Sequence, residues 1–161
     1  MQLQQYQFNF EVYDSVDELN DDDKYLLQQA KKIALQAYAP YSQFLVGAAA
    51  LLSNGKMITG TNQENASYPV GTCAERVLLG VASSLFPEEH IITLAISYHH
   101  VNGSSAVPLS PCGMCRQALI EHETRYGHHI RLILGGESGK VYIIPRSSSL
   151  LPLQFTDEFL K

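Results

Sequence analysis

Residues 45–60 read Leu-Val-Gly-Ala-Ala-Ala-Leu-Leu-Ser-Asn-Gly-Lys-Met-Ile-Thr-Gly. The small apolar run 45–52 has the character of a strand covered on both faces, and Ser53-Asn54-Gly55-Lys56 supplies an Asn-Gly turn before a second strand over 57–60. A hairpin is therefore expected here, with helical patterns on either side. Upstream, Leu26, Leu27, Ala30, Ile33, Ala34 and Ala37 recur at helical spacing within residues 22–38. The acidic run Asp21-Asp22-Asp23 suits the positive end of that helix, and Pro40 is the expected stop. Downstream, residues 73–85 predict a helix with Val77, Leu78, Val81 and Leu85 on one side and Pro87 as its terminator. A β-branched strand follows over 91–98, then a polar stretch, 99–110, that reads as a loop. Residues 112–126 predict a third helix ending at Gly127, and 130–134 and 141–144 two last strands.

The order helix, strand, strand, helix, strand, helix, strand, strand carries no repeat and no linker. It predicts an α/β protein, a three-layer α/β/α sandwich around one five-stranded mixed sheet, forming a single domain over residues 1–161. Residues 6–12 alternate apolar and polar, as expected of a half-buried strand or of an arm lying on another surface. With 45% hydrophobic and 17% charged residues the chain has apolar material enough for a core without disulfides, which excludes intrinsic disorder. Eleven basic residues against 16 acidic ones give a net charge of -5, a poor match to a polyphosphate backbone, so no nucleic-acid partner is expected. No apolar run approaches a membrane span and no basic-then-apolar leader opens the sequence, so a cytoplasmic protein without a membrane partner is expected.

The chain has three cysteines, an odd count that cannot form a fully paired framework. All of them fall in two short segments, Cys73-Ala74-Glu75 and Pro111-Cys112-Gly113-Met114-Cys115. Both segments open predicted helices, where the dipole and free N–H groups stabilise thiolates, and Cys112 and Cys115 share a helix face. Three thiolates without a fourth cysteine suggest zinc with an open position, the arrangement of a catalytic rather than a structural site. Glu75 stands on the same first turn as a ligand and could serve the proton transfers of a hydrolytic reaction. A site of three thiolates and one Zn²⁺ keeps a formal negative charge, and Arg76 is the residue placed to offset it from outside the ligand set.

These residues belong to a wider pattern. Tyr38-Ala39-Pro40-Tyr41-Ser42-x-Phe44, Val46-Gly47-Ala48-Ala49 and Gly60-x-Asn62-x-Glu64-Asn65-Ala66-Ser67-Tyr68 precede Cys73-Ala74-Glu75-Arg76. Pro111-Cys112-Gly113-x-Cys115-Arg116-Gln117 and Leu150-Leu151-Pro152-x-x-Phe155 follow it. The whole resembles the zinc-dependent cytidine/deoxycytidine deaminases, in their small homotetrameric form with a three-cysteine metal site, over about residues 24–156.

That resemblance implies a cytidine deaminase-like fold and hydrolysis of cytidine and deoxycytidine to uridine and deoxyuridine in pyrimidine salvage. It implies one zinc per subunit on Cys73, Cys112 and Cys115, with Glu75 moving protons as water attacks C4 and ammonia leaves. Asn62 and Glu64 match positions that bind the ribose 3′-hydroxyl, Phe44 one that packs on the base, and the Ala74 backbone one that reads the pyrimidine edge. Tyr68 falls among the substrate-binding positions, and Phe155 matches a residue that enters a neighbouring subunit's pocket. A small neutral nucleoside suits a chain with no Gly-rich phosphate loop. Residues 1–20 form an N-terminal extension for which the family supplies no role, and the 99–110 connection is longer than in compact members. The adjacent histidines, His99-His100 and His128-His129, read as solvated surface rather than as ligands.

Overall fold

Helix α1 spans Asp21–Ala34 in the computed structural model, which describes residues 1–160. Asn20 caps it by accepting from the Asp23 N–H at 2.9 Å, acidic residues fill the first turn, and Lys31 and Lys32 the last. The helix stops before the proline expected to end it. Gln36 N–H reaches back to Ile33 and Ala37 N–H to Ala34 in tight turns, and Tyr38 then bridges to the segment that follows 57–61, donating to the Asn62 carbonyl and accepting from Glu64 N–H. That bridge, which no helical period can reveal, takes the chain off the helix axis.

Strands β2, Phe44–Leu52, and β3, Met57–Thr61, form the expected hairpin. Helix α2 covers Ala74–Leu85, β4 Ile91–His100, α3 Gly113–Tyr126, β5 Arg131–Leu134 and β6 Val141–Ile144. Only β4 and β5 run parallel, so the sheet is mixed. Helix α1 packs on one face, where Leu26, Leu27 and Ala30 meet Ala49, Ala95 and Ile133. Helices α2 and α3 cover the other, where Leu78 and Leu119 meet Ala48, Leu94, Ile96 and Leu132. The small residues of β2 let helices approach from both sides: a Cβ at Gly47 would lie 2.2 Å from the Ala30 carbonyl oxygen.

The sheet has six strands in the order β1-β6-β5-β4-β2-β3 rather than the expected five. The additional strand, β1, is Glu11–Tyr13, which pairs antiparallel with β6 through Glu11↔Ile143 and Tyr13↔Val141. The alternation over 6–12 reads as a strand or an arm, and the structure makes it both: residues 6–10 lie in no strand, and a strand forms only at 11–13, where the edge of β6 supplies a partner. Strand β4 also outruns its sequence pattern, because β2 pairs with it as far as Phe44↔His100. His99 and His100 are therefore half-buried at a strand end rather than on a solvated loop, with His99 Nδ1 2.5 Å from Glu137 Oε1. His128 and His129 are exposed, as expected. Among the described residues no helix is long and apolar enough to cross a membrane.

Candidate active site

The N-termini of α2 and α3 meet at the cysteines. Cys73 is the N-cap of α2 and Cys112 the N-cap of α3, both in extended backbone conformation, and Cys115 lies one turn into α3. The three sulfurs all lie within 4.8 Å of one another, with Cys73 and Cys112 at 3.7 Å. Cys115 is buried, Cys73 half-buried and Cys112 exposed. Hydrogen bonding from Cys115, joined by Cys112 and by the charge of Arg76, pulls the Cys73 thiol down to about 6. The Cys115 thiol is pushed up, because it is the partner that donates to Cys73 and is itself buried beside Glu75. A tetrahedral zinc ion with Zn–S near 2.3 Å sets its sulfur ligands about 3.8 Å apart, and soft thiolates are its preferred donors. The spacing and chemistry of these sulfurs fit that ion.

Glu75 is 4% exposed, in the first turn of α2 beside the wholly buried Ala74. Burial raises its carboxyl above the ordinary range and the Cys73 charge adds to this, while its own backbone N–H and the Cys115 thiol act in the opposite sense. A buried carboxylate joined to the thiol cluster is well placed for proton traffic and is not one of the clustered sulfur donors. Arg76 is exposed, and its influence on the cluster is through charge.

Cys73 opens onto a cavity of about 520 Å³ whose walls include Tyr41, Asn62, Glu64, Tyr68 and Met114. Asn62 is held by β2: its Oδ1 accepts from Val46 N–H at 2.8 Å and its Nδ2 donates to the Phe44 carbonyl at 2.9 Å. Each amide atom keeps further bonding capacity, one N–H and one lone pair. Glu64 Oε2 accepts from the backbone N–H groups of Tyr41, at 2.9 Å, and Ser42, at 3.2 Å. Burial works against the Glu64 charge, but the hydrogen bonds from Ser42 and Tyr41 outweigh it and hold the carboxyl below its ordinary range. Tyr68 meets Tyr41 edge to face with ring centres 6.1 Å apart.

Thus Asn62, Glu64 and Tyr68 come together with Cys73 around one cavity. Phe44, Ala74 and Phe155 are not among the residues lining it. Phe44 is half-buried and stacks on Tyr98 at 4.8 Å, with His100 edge-on. Phe155 is exposed on the C-terminal segment, its carbonyl accepting from Gln117 Nε2 at 2.9 Å. Tyr41 and Met114 are cavity residues to which the sequence reading gives no role. The signal for Met114 is its place inside the Cys-x-x-Cys turn, where a side chain on the exposed side of α3 flanks the thiols.

Comparison with known proteins agrees with this geometry. Residues 20–126 match the cytidine and deoxycytidylate deaminase zinc-binding region. The chain is 39% identical over 137 residues to a cytidine deaminase of Halalkalibacterium halodurans, covering 85% of this chain and 96% of that one. It superposes with a TM-score of 0.69 on the crystal structure of cytidine deaminase from Burkholderia pseudomallei, at 34% identity over 85% of this chain and 100% of that one. The Mycobacterium tuberculosis cytidine deaminase structure gives a TM-score of 0.66 at 34% identity, covering 85% and 99% of the two chains. From the match across α1 to α3 and the shared fold, the chain belongs to the cytidine and deoxycytidylate deaminase family, through its zinc-binding region.

Proposed function

We propose that the protein is a zinc-dependent deaminase that hydrolyses the 4-amino group of cytidine and deoxycytidine, consuming one water and giving uridine or deoxyuridine and ammonia, in pyrimidine salvage. The observation that carries this is the buried Glu75 carboxyl beside a three-thiol cluster, one of whose members, Cys73, opens onto the cavity. Cys73, Cys112 and Cys115 hold the metal, and zinc supplies there the Lewis acidity that makes water nucleophilic near neutral pH. Glu75 takes the proton of the attacking water on its carboxylate and delivers it toward the leaving nitrogen. The unused N–H and lone pair of Asn62, together with Glu64, bind the ribose 3′-hydroxyl, while Tyr68 contributes to the cavity wall. Phe44 supports the base, the Ala74 backbone reads its edge, and Arg76 offsets the charge of the thiolates.

A site shared between subunits belongs to the same reading: Phe155 comes from a neighbouring chain of a homotetramer, which accounts for its exposure on this one. Residues 1–161 act as one domain, in the cytoplasm, on a small nucleoside. The net charge of -5 favours that neutral substrate over a nucleic acid.

The test is loss of cytidine absorbance with metal-analysed protein, run beside Glu75→Gln. The variant is expected to keep its zinc and its fold and to lose turnover by at least about 10²-fold. Turnover near that of the unaltered enzyme would remove Glu75 from the mechanism.

A further inference from the structure

The first residues of the chain precede the stretch, 20–126, that matches the family, yet the structure gives them a definite place. After the arm, β1 closes the edge of β6. Ahead of β1, Phe8 packs half-buried on the larger core and Phe10 meets Tyr142 edge-on with ring centres 5.2 Å apart. Tyr6 lies 6.3 Å from Phe8 and donates its hydroxyl to the Ser149 carbonyl at 2.7 Å.

Ser149 stands at a junction. It belongs to the 3-10 turn Ser147–Leu150, from which the C-terminal segment departs. The start of this turn is anchored on Glu123, whose Oε1 accepts from Ser147 N–H at 3.0 Å and Ser147 Oγ–H at 2.7 Å. Its last carbonyl, that of Leu150, accepts from Arg116 Nη1 at 2.9 Å. The same guanidinium donates from Nε to the Pro111 carbonyl at 2.9 Å. Pro111 immediately precedes Cys112, whose sulfur lies 3.7 Å from that of Cys73.

We propose that residues 6–13 are a strap that holds the Ser147–Leu150 turn against α3, and that Arg116 is a positioning residue passing this restraint to the peptide joining Pro111 and Cys112. The extension then helps to hold the cysteine cluster in shape. A single 3-10 turn has little cohesion of its own, so the Leu150 carbonyl stays within reach of Arg116 only while the turn is pinned. Glu123 pins its first residue, and Tyr6 pins the carbonyl next to the one Arg116 uses. A planar guanidinium bonds two carbonyls at once only if both are in place; with one released, the other bond has to hold a side chain with several free rotors. The apolar side chains of the strap supply its adhesion, and the Tyr6 hydroxyl supplies its address.

This inference rests on the reading of the cysteines as zinc ligands, and its test needs no substrate, so it fails or stands separately from the deamination reading. Zinc-loaded full-length protein is compared with Tyr6→Phe, with a variant lacking residues 1–9, with Arg116→Ala, and with the Tyr6→Phe/Arg116→Ala double variant. Two rates are read: zinc transfer to a chelator, and amide hydrogen exchange of Ser149 and Leu151. Tyr6→Phe is expected to speed both by about fivefold, the factor that one ordinary hydrogen bond carries. The deletion is expected to speed both further. Arg116→Ala should speed zinc transfer, and adding Tyr6→Phe to it should change zinc transfer no more, because the relay is already cut. Faster exchange with unchanged zinc transfer in Tyr6→Phe would overturn the proposal, as would additive effects in the double variant. Should the deletion fail to fold, Tyr6→Phe alone decides, since it removes one oxygen and leaves the packing.

Discussion

Asp23 and Arg131, 108 residues apart in sequence, face each other through two hydrogen bonds, Nη1 to Oδ1 at 2.6 Å and Nη2 to Oδ2 at 2.7 Å. The pair ties the first turn of α1 to the start of β5, and Asn20 completes it by donating to Asp23 Oδ2 at 2.8 Å. The two-pronged form gives an Arg–carboxylate pair its direction as well as its strength. Burial disfavours the Asp23 charge, but Arg131 and Asn20 outweigh it and hold the carboxyl below its ordinary range.

Arg131→Met is expected to destabilise the fold by about 2 kcal/mol at pH 7, because it strands a largely buried carboxylate. An Asp whose folded-state pKa is lowered stabilises the fold above its ordinary value of 3.8 and loses that contribution as pH falls through the lower folded value. Denaturant unfolding of both proteins between pH 7 and pH 2 should therefore show the gap narrowing toward acid. A constant gap would contradict the assignment.

His122 is buried, its ring 4.5 Å from that of Tyr126 and its Nε2 without a hydrogen-bond partner among the described residues. Burial first, then the charges of Arg125 and His90, push its pKa from 6.5 down to about 4, while Glu123 acts weakly the other way. The unfolded chain takes up a proton below its ordinary value that the folded chain refuses until about 4, so this residue lowers stability as the medium is acidified across that window. His122→Leu should flatten the stability profile between pH 6.5 and 4. Equal slopes in the two proteins would show that His122 does not titrate this way.

Gly47 faces the backbone of α1, where a Cβ would lie 2.2 Å from Ala30 O and 2.6 Å from Ala34 N. Backbone atoms cannot swing aside as a side-chain tip can, so Gly47→Ala is expected to cost about 3 kcal/mol. Gly80, exposed in α2, has nothing within 4 Å of the place an added methyl group would take. Gly80→Ala should be neutral or stabilising by up to about 1 kcal/mol. Thermal unfolding of the two variants side by side checks the contrast.

Cys112→Ala should bring zinc content well below one per chain, since two sulfurs remain of the three that converge. Cys112 is exposed and packs in neither core cluster, so the metal-free variant should unfold at the same temperature as metal-free parent protein. Metal analysis that still finds one zinc per chain would break the ligand set.

The cysteines and Glu75 are legible in the sequence because they stand in two short segments that open helices, Cys73 and Cys112 as N-caps and Glu75 and Cys115 in the first turns, but only the fold brings the two helix starts together. Asn62 and Glu64 are legible as an alternating pair, but their present partners are not: Val46, Phe44, Tyr41 and Ser42 reach them only after β2 and β3 have paired. Arg116 reads as an ordinary helix cation until Pro111 and Leu150, the latter 34 residues beyond it, bring their carbonyls to its Nε–H and Nη1–H.

By itself the sequence determined the helices, the central hairpin and the family motif, since these follow from periodicity, turn chemistry and local spacing. Tertiary structure alone decided that the alternating N-terminal segment joins the sheet only at residues 11–13, that β4 continues to His100, and that α1 ends at Ala34. In each of these the deciding hydrogen bonds run to a segment remote in the chain, and a backbone N–H carries no mark in the sequence of the carbonyl it will find.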